Sequence, residues 1–285
     1  MTKILIFGSN GMLGNYVKSY LSHKEYEIIP LTRKEYDLSQ LSINTLTTLL
    51  FEDKNIQKND IVINCAGVIP QASNQRGLNT RLYFTINSLF PVILSQICDK
   101  VGAKMIHITT DCVFSGKDGK YSEDSIHDET NDYGMSKSLG ELCKATIIRT
   151  SIIGEEIENK RSLLEWVKSN AGRSINGYIN HYWNGVTCLQ LSKIISEIIE
   201  RGLYWEGVRH IFSPSSLNKY QLVKNIIQVY NLDIHVNEFK TEDKVDKTIT
   251  SNYEAMFEIP ELYIQIEEIK NYNINLFLLK KYLKK

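Results

Sequence analysis

Three side chains of this sequence could together reduce a carbonyl group: Thr110, Tyr133 and Lys137. A Tyr-x-x-x-Lys pair places both groups on one face of a helix. There an ammonium can lower a phenol from its free pKa of ~10 and hold a coenzyme ribose. The spacing occurs three times, at Tyr20/Lys24, Tyr133/Lys137 and Tyr220/Lys224. Placement separates them. Tyr20 falls at the far end of the first helical segment and Tyr220 late in the chain. Tyr133 opens a helix that follows a strand, at the edge where a doubly wound sheet gathers its site residues. The strand running into His107-Ile108-Thr109-Thr110-Asp111 offers a hydroxyl to the carbonyl oxygen beside Tyr133. Thr110 is the choice, with Thr109 the alternative one residue away; threonine is common in strands, so its type alone assigns no role.

The opposite end of such a site must hold phosphate. Gly8-Ser9-Asn10-Gly11-Met12-Leu13-Gly14 directly follows the first apolar segment and opens the first helical one. In that position Gly8 permits a tight turn, Gly11 lets backbone approach a pyrophosphate, and Gly14 lets helix pack on strand. The helix N-terminus adds unpaired N–H groups and partial positive charge. The second strand ends in Leu31-Thr32-Arg33-Lys34, where an NAD site would place an acid for the ribose 2′-hydroxyl. Arg33 instead suits a 2′-phosphate, through its planar fork. NADP(H) is therefore the expected coenzyme, with NAD(H) left open as a second.

These groups need a scaffold. Short apolar runs at 3–7, 27–31, 61–65, 104–109 and 146–149 read as strands, and helical patterns at 12–22, 41–51, 80–101 and 133–144 lie between them. Alternation of this kind predicts a Rossmann-type α/β fold, with a parallel, doubly wound sheet covered on both faces. We place a dinucleotide-binding domain at 1–150 and a smaller, mixed substrate lobe at 151–285, interleaved with the first. Helical segments are expected at 162–170, 189–201 and 219–230, and a strand at 208–212 that returns to the main sheet.

The chain has 285 residues, 33 Lys+Arg and 33 Asp+Glu, so no net field draws it to a nucleic acid polymer or an anionic membrane. Lys280, Lys281, Lys284 and Lys285 read as a solvated basic end. No secretory leader and no membrane span are expected. Cys65, Cys98, Cys112, Cys143 and Cys188 lack a CxxC pair, which fits reduced thiols and a cytoplasmic location better than disulfides or zinc. The histidines form no HExxH, so no metal is expected.

With these residues in view, the chain resembles the extended short-chain dehydrogenases. The resemblance is carried by Gly8–Gly14, Asn64-Cys65-Ala66-Gly67, Asn87, Thr109-Thr110-Asp111-Cys112-Val113-Phe114, Tyr133-Gly134-Met135-Ser136-Lys137 and Gly140-Glu141. More narrowly it is similar to the dTDP-4-dehydrorhamnose reductase family, through Leu31-Thr32-Arg33 followed by Asp37-Leu38, Thr-Asp-x-Val-Phe and Arg149-Thr150-Ser151. The resemblance implies catalysis by Thr110, Tyr133 and Lys137. It also implies that Asn10, Met12 and Leu13 line the dinucleotide, that Asp37 and Leu38 approach the adenine, and that Cys65, Ala66 and Gly67 pass beneath the ribose. Asn87 would support the catalytic residues. Val68, Thr110, Asp111, Cys112, Ile152, Trp183 and Asn184 would meet a UDP- or dTDP-linked sugar, and a homodimer is left open.

Two positions depart from the rhamnose reductases. Cys112 stands for a tyrosine and Ile152 for a tryptophan, and both remove bulk from the sugar pocket. In this the chain resembles a branch reducing UDP-2-acetamido-2,6-dideoxy-4-ketohexoses towards UDP-L-rhamnosamine. Two other readings stay open. One is a bifunctional 3-epimerase/4-reductase using Cys112 as acid/base if its pKa is lowered. The other is a cofactor-binding regulatory subunit like that of methionine adenosyltransferase, since fold alone does not fix function. Lys247 has two readings as well, a diphosphate contact or part of a solvated loop.

Overall fold

The computed structural model describes residues 1–70, 80–158, 160–272 and 274. The basic end at Lys280, Lys281, Lys284 and Lys285 lies outside the described residues. β1 (Lys3–Phe7), α1 (Met12–Leu21) and β2 (Glu27–Leu31) open the chain. α2 (Ile43–Thr48) runs on as a π-helical turn before β3 (Ile61–Asn64). α3 (Thr80–Phe84), a π-helical segment (Thr85–Leu89) and α4 (Phe90–Val101) form one helical run into β4 (Lys104–Thr110). α5 (Asp132–Gly140) and β5 (Thr146–Thr150) follow.

The second half contains β6 (Ile152–Ile153), α6 (Leu163–Ser169), β7 (Ser174–Tyr178), β8 (His181–Trp183), β9 (Val186–Thr187) and α7 (Cys188–Arg201). β10 (Gly207–His210), β11 (Leu217–Asn218), α8 (Lys219–Tyr230), β12 (His235–Phe239), β13 (Val245–Asp246) and α9 (Leu262–Asn271) complete it.

Six strands make one sheet in the order β10-β5-β4-β3-β1-β2. Every pairing in it is parallel. The apolar strands feed two cores because alternate side chains point to opposite faces. Ile4, Ile6, Ile63, Ile106, Ile108 and Ile148 pack with α1 and α7. Leu5, Phe7, Val62, Met105 and Ile147 pack with Leu46, Leu50, Phe90 and Leu94 on the other face. This is a doubly wound Rossmann-type sheet, and each fully buried aliphatic side chain contributes ~1.5–3 kcal/mol to it.

The chain order reverses at β1, which has β2 on one side and β3 on the other. That places a crevice at the carboxyl ends of β1 and β3. Residue 151 marks no break between bodies: Leu191, Ile194, Ile195 and Ile198 of α7 share a core with Ile4, Ile6 and Val17. Smaller sheets β11-β8-β13, β12-β7 and β6-β9 build the remaining lobe.

Two helices differ from the sequence pattern. The run from 80 to 101 contains a π-helical segment because Pro91 has no N–H for the carbonyl of Asn87. That carbonyl instead faces Gly140, where an added Cβ would lie 2.1 Å from it. α5 ends at Gly140 rather than Lys144; Glu141 turns away to meet Arg149.

Candidate active site

The loop between β1 and α1 is shaped by close backbone approach. Gly8 has φ +72°, and a Cβ there would sit 2.7 Å from the backbone of Ala66. A Cβ at Gly14 would lie 2.2 Å from the Gly8 carbonyl oxygen. Gly11 is the N-cap of α1, with no side-chain cap and no acid in the first turn. The cradle that a Cβ would fill, and the uncapped N–H groups behind it, fit a dinucleotide diphosphate. Asn10 is exposed and Met12 half-buried at this edge, whereas the Leu13 side chain is in the core and only its backbone is left for the loop.

Sequence reading missed Lys18. Its ammonium is buried beneath the loop, donating to the Ser9 carbonyl at 3.0 Å and to Asn15 Oδ1 at 3.0 Å. Asn15 in turn donates to the Asn10 carbonyl at 3.0 Å. The available signal was a pair of polar residues on the inward face of an otherwise apolar helix. Lys18→Met is expected to raise the Kd for a nicotinamide dinucleotide about tenfold, as loss of a charge-assisted hydrogen bond predicts. Coenzyme titration of the folded variant checks this, and an unchanged Kd contradicts it.

Past β2, Arg33 is 57% exposed and reaches only to 4.0 Å from Asp37, so its guanidinium is available to an anion. Asp37 Oδ1 accepts from Ser39 N and starts the short turn that carries the half-buried Leu38. Glu35, an acid the sequence reading passed over, accepts from the backbone N and hydroxyl of Thr32. Those bonds hold its carboxyl below the usual range.

After β3 the chain turns under the site. Asn64 Oδ1 accepts from Ala66 N at 3.0 Å, and Asn87 grips Val68 at both ends, accepting from its N at 2.9 Å and donating to its O at 3.0 Å. Asn87 also donates to Ser136 Oγ at 3.1 Å, which fastens this turn to α5. Cys65 is a neutral thiol here, pushed up to about 12 by burial.

α5 is started by Asn131, whose side chain accepts from Gly134 N at 2.9 Å, and this sets Tyr133 and Lys137 on the face towards β4. Lys137 Nζ donates to the Ile108 carbonyl at 2.9 Å, and a Cβ at Gly67 would lie 3.9 Å from it. Tyr133 packs against Val68, and the Tyr83 ring meets its ring edge-on at 6.4 Å. Thr110 neighbours the Tyr133 phenol, accepts from Cys112 N at 3.1 Å and donates to Asp111 Oδ1 at 3.1 Å. Thr109 Oγ1 is buried without a hydrogen-bond partner among the described residues. Of the two threonines, Thr110 is therefore the one at the phenol.

One electrostatic expectation is corrected. Burial raises the Tyr133 phenol well above its ordinary value, the neighbouring Cys112 adds to the rise, and the Thr110 hydroxyl opposes it. The Lys137 ammonium donates to the Ile108 carbonyl and is itself lowered to about 8, chiefly by burial, so its pull on the phenol is outweighed by burial. Cys112 is pushed up to about 12 by burial and by Asp111, so the lowered thiol needed for acid/base exchange is not present.

The remaining expected substrate residues separate. Asp111 and Cys112 border Thr110, and Ile152 is half-buried in β6. Trp183 is only 4% exposed, with Lys219 Nζ 5.1 Å from its ring centroid. Asn184 is committed elsewhere: its amide donates to the Ile249 carbonyl at 2.8 Å and accepts from Ile249 N at 3.0 Å. Lys247 likewise donates to the Phe114 carbonyl at 2.8 Å and lies 3.4 Å from Glu129. Among the described residues no helix is long and apolar enough to cross a membrane, and no cluster of His, Cys, Asp or Glu could hold a metal.

Behind α5 sits a buried charge. Arg149 donates to both carboxylate oxygens of Glu141, to His210 Nε2 at 2.8 Å and to His127 Nε2 at 2.7 Å. His127 Nδ1 bonds Ser138 Oγ of α5 at 2.6 Å, and His210 Nδ1 bonds the Thr250 carbonyl at 2.6 Å.

Known proteins share this architecture and sequence. Over 278 residues the chain is 25% identical to the spore coat polysaccharide biosynthesis protein SpsK of Bacillus subtilis, covering 90% of this chain and 89% of that one. A dTDP-4-dehydrorhamnose reductase of Mycobacterium tuberculosis is 26% identical over 161 residues; the match spans 52% of this chain and 49% of that protein. The structure of dTDP-4-dehydrorhamnose reductase from Bacillus anthracis in complex with NADP superposes with a TM-score of 0.79 at 23% identity, covering 95% of this chain and 99% of that one. The RmlD substrate binding domain model matches residues 1–257. A match over that length settles membership: the chain belongs to the RmlD substrate binding domain family.

Proposed function

We propose that the chain is an NADPH-dependent oxidoreductase that reduces the 4-keto group of a nucleotide-activated 6-deoxysugar in the cytoplasm. The observation that carries this reading is the meeting of Thr110 with the Tyr133 phenol, one helical turn from Lys137, beside the Gly67 turn. The relatives named dTDP-4-dehydrorhamnose reductase support it. The glycine loop would hold NADPH and Arg33 would meet its 2′-phosphate, and the bound coenzyme would supply the hydride; NADH is the weaker alternative.

Everything else falls to this chain's side chains. Burial keeps Tyr133 protonated, which is the state a proton donor to the developing alkoxide requires. Thr110 orients the carbonyl oxygen towards that phenol and stabilises charge as it develops. Lys137 stays cationic below about 8 and adds positive potential beside the reacting centre.

The favoured sugar is a UDP-linked 2-acetamido-2,6-dideoxy-4-ketohexose, with dTDP-4-dehydrorhamnose next. Cys112, next to the Thr110 turn, and Ile152, in β6, are smaller than the tyrosine and tryptophan of the rhamnose reductases, and this supports the order by favouring room for an N-acetyl group. Steady-state NADPH oxidation with both sugars tests it. A higher kcat/KM for the UDP-acetamido sugar is expected, and a clear preference for the dTDP sugar overturns the choice.

A further inference from the structure

Two polar side chains outside the catalytic set, Asp111 and Lys219, have incomplete bonding among the described residues. Asp111 is 2% exposed, and its Oδ1 takes the Thr110 hydroxyl at 3.1 Å and the Cys112 thiol at 3.5 Å. No hydrogen bond reaches its other oxygen among the described residues. Lys219, the first residue of α8, is brought here by the pairing of Leu217 and Asn218 with Trp183 and Tyr182. Its half-buried ammonium lies 5.1 Å from the Trp183 ring centroid and feels the charge of Asp111. It makes no hydrogen bond among the described residues, and it forms no ion pair with Asp111 within 4.0 Å.

A donor and an acceptor with bonding capacity left over can each take a partner from a ligand. A substrate group that accepts at one end and donates at the other fits both. Resting on the acetamido reading above, we infer that Lys219 is a specificity-determining residue: it donates to the amide oxygen of the sugar's acetamido group, while Asp111 accepts from the amide N–H. Lys247 ties β8 to the turn after Thr110, its N donating to the Tyr182 carbonyl at 3.1 Å and its Nζ to the Phe114 carbonyl at 2.8 Å, and so brings Trp183, with the ammonium over its ring, towards the sugar end of the site. Trp183 holds the stem of the lysine by stacking against its cationic end, which accounts for a tryptophan that is too buried to stack on a base.

The test compares the wild-type chain with Lys219→Met and Lys219→Gln, using the UDP-2-acetamido and the dTDP 6-deoxy 4-keto sugars. Lys219→Met is expected to lower kcat/KM for the acetamido sugar about ten- to a hundredfold more than for the 2-hydroxy sugar, mainly through KM. Lys219→Gln, which keeps a donor, recovers part of that difference. Melting temperature and NADPH titration report whether each variant is folded. If the wild type prefers the acetamido sugar but Lys219→Met lowers both sugars equally, or neither, Lys219 has no reading role and the proposed substrate stands. A wild type that prefers the dTDP sugar removes the acetamido reading and this amide contact together.

Discussion

Tyr133→Phe is expected to lower kcat by about 10²–10⁴-fold, the usual worth of a positioned general acid, and to leave the Kd for NADPH within about twofold of the wild type. The substitution removes one oxygen and keeps the ring. Its contacts with Tyr83 and Val68 therefore survive, and so do the Asn87 clamp on Val68 and the Lys137 bond to Ile108. What disappears is the proton donor beside Thr110. The loss belongs in kcat because the proton moves only as the alkoxide forms. NADPH titration by fluorescence and single-turnover kinetics check both halves. Near-normal single-turnover rates would show that another group donates the proton.

Much of this site was legible beforehand, for a definite reason. The strands are continuous apolar runs, since both sheet faces are covered, and the loops that follow them carry motifs whose spacing is fixed by backbone geometry. Gly8 and Gly14 are required because an added Cβ would lie 2.7 Å and 2.2 Å from neighbouring backbone, which leaves no choice of residue. Helix spacing alone could not choose among three Tyr-x-x-x-Lys pairs, but position after a strand could. Electrostatics was less readable. The sequence shows that Lys137 and Tyr133 share a face; it does not show that the Ile108 carbonyl claims the ammonium. The surroundings of Lys18, Lys219 and Asn184 were not readable for a related cause. Their partners are Ser9, Trp183 and Ile249, and for the last two the contact depends on how distant segments pack. Composition gives no warning that a lysine will be drawn inward.

The largest stability effect is expected at Arg149, which touches no part of the reacting centre. Its side chain is 2% exposed, and its donors serve Glu141, His127 and His210. Guanidinium can only donate, so both histidines must present unprotonated Nε2 atoms to it. The remaining proton then sits on Nδ1, where His127 donates to Ser138 Oγ and His210 to the Thr250 carbonyl. One cation thus fixes two tautomers and joins α5, β5 and β10. Arg149→Met keeps the stem's volume but leaves the Glu141 carboxylate buried without its main partner. A cost of ~3–5 kcal/mol follows, as for other broken buried pairs. For a chain this long that is a fall in Tm of about 5–10 °C.

The same network sets an acid limit. Burial holds His127 and His210 below the ordinary imidazole value, with Arg149 pushing in the same direction. The unfolded chain therefore binds protons that the folded one refuses. Stability is full above the ordinary His pKa of ~6.5 and falls as pH drops from there towards the lowered folded values. In Arg149→Met each Nε2 is released to accept a proton, and His127 already lies 3.5 Å from Glu141. Its melting temperature should therefore decline less steeply with acid than that of the wild type. Thermal melts of both proteins across that pH range measure the two effects together. Parallel curves, or a variant melting within about 1 °C of the wild type, which is under ~1 kcal/mol, would mean that the guanidinium neither secures Glu141 nor sets the histidine tautomers.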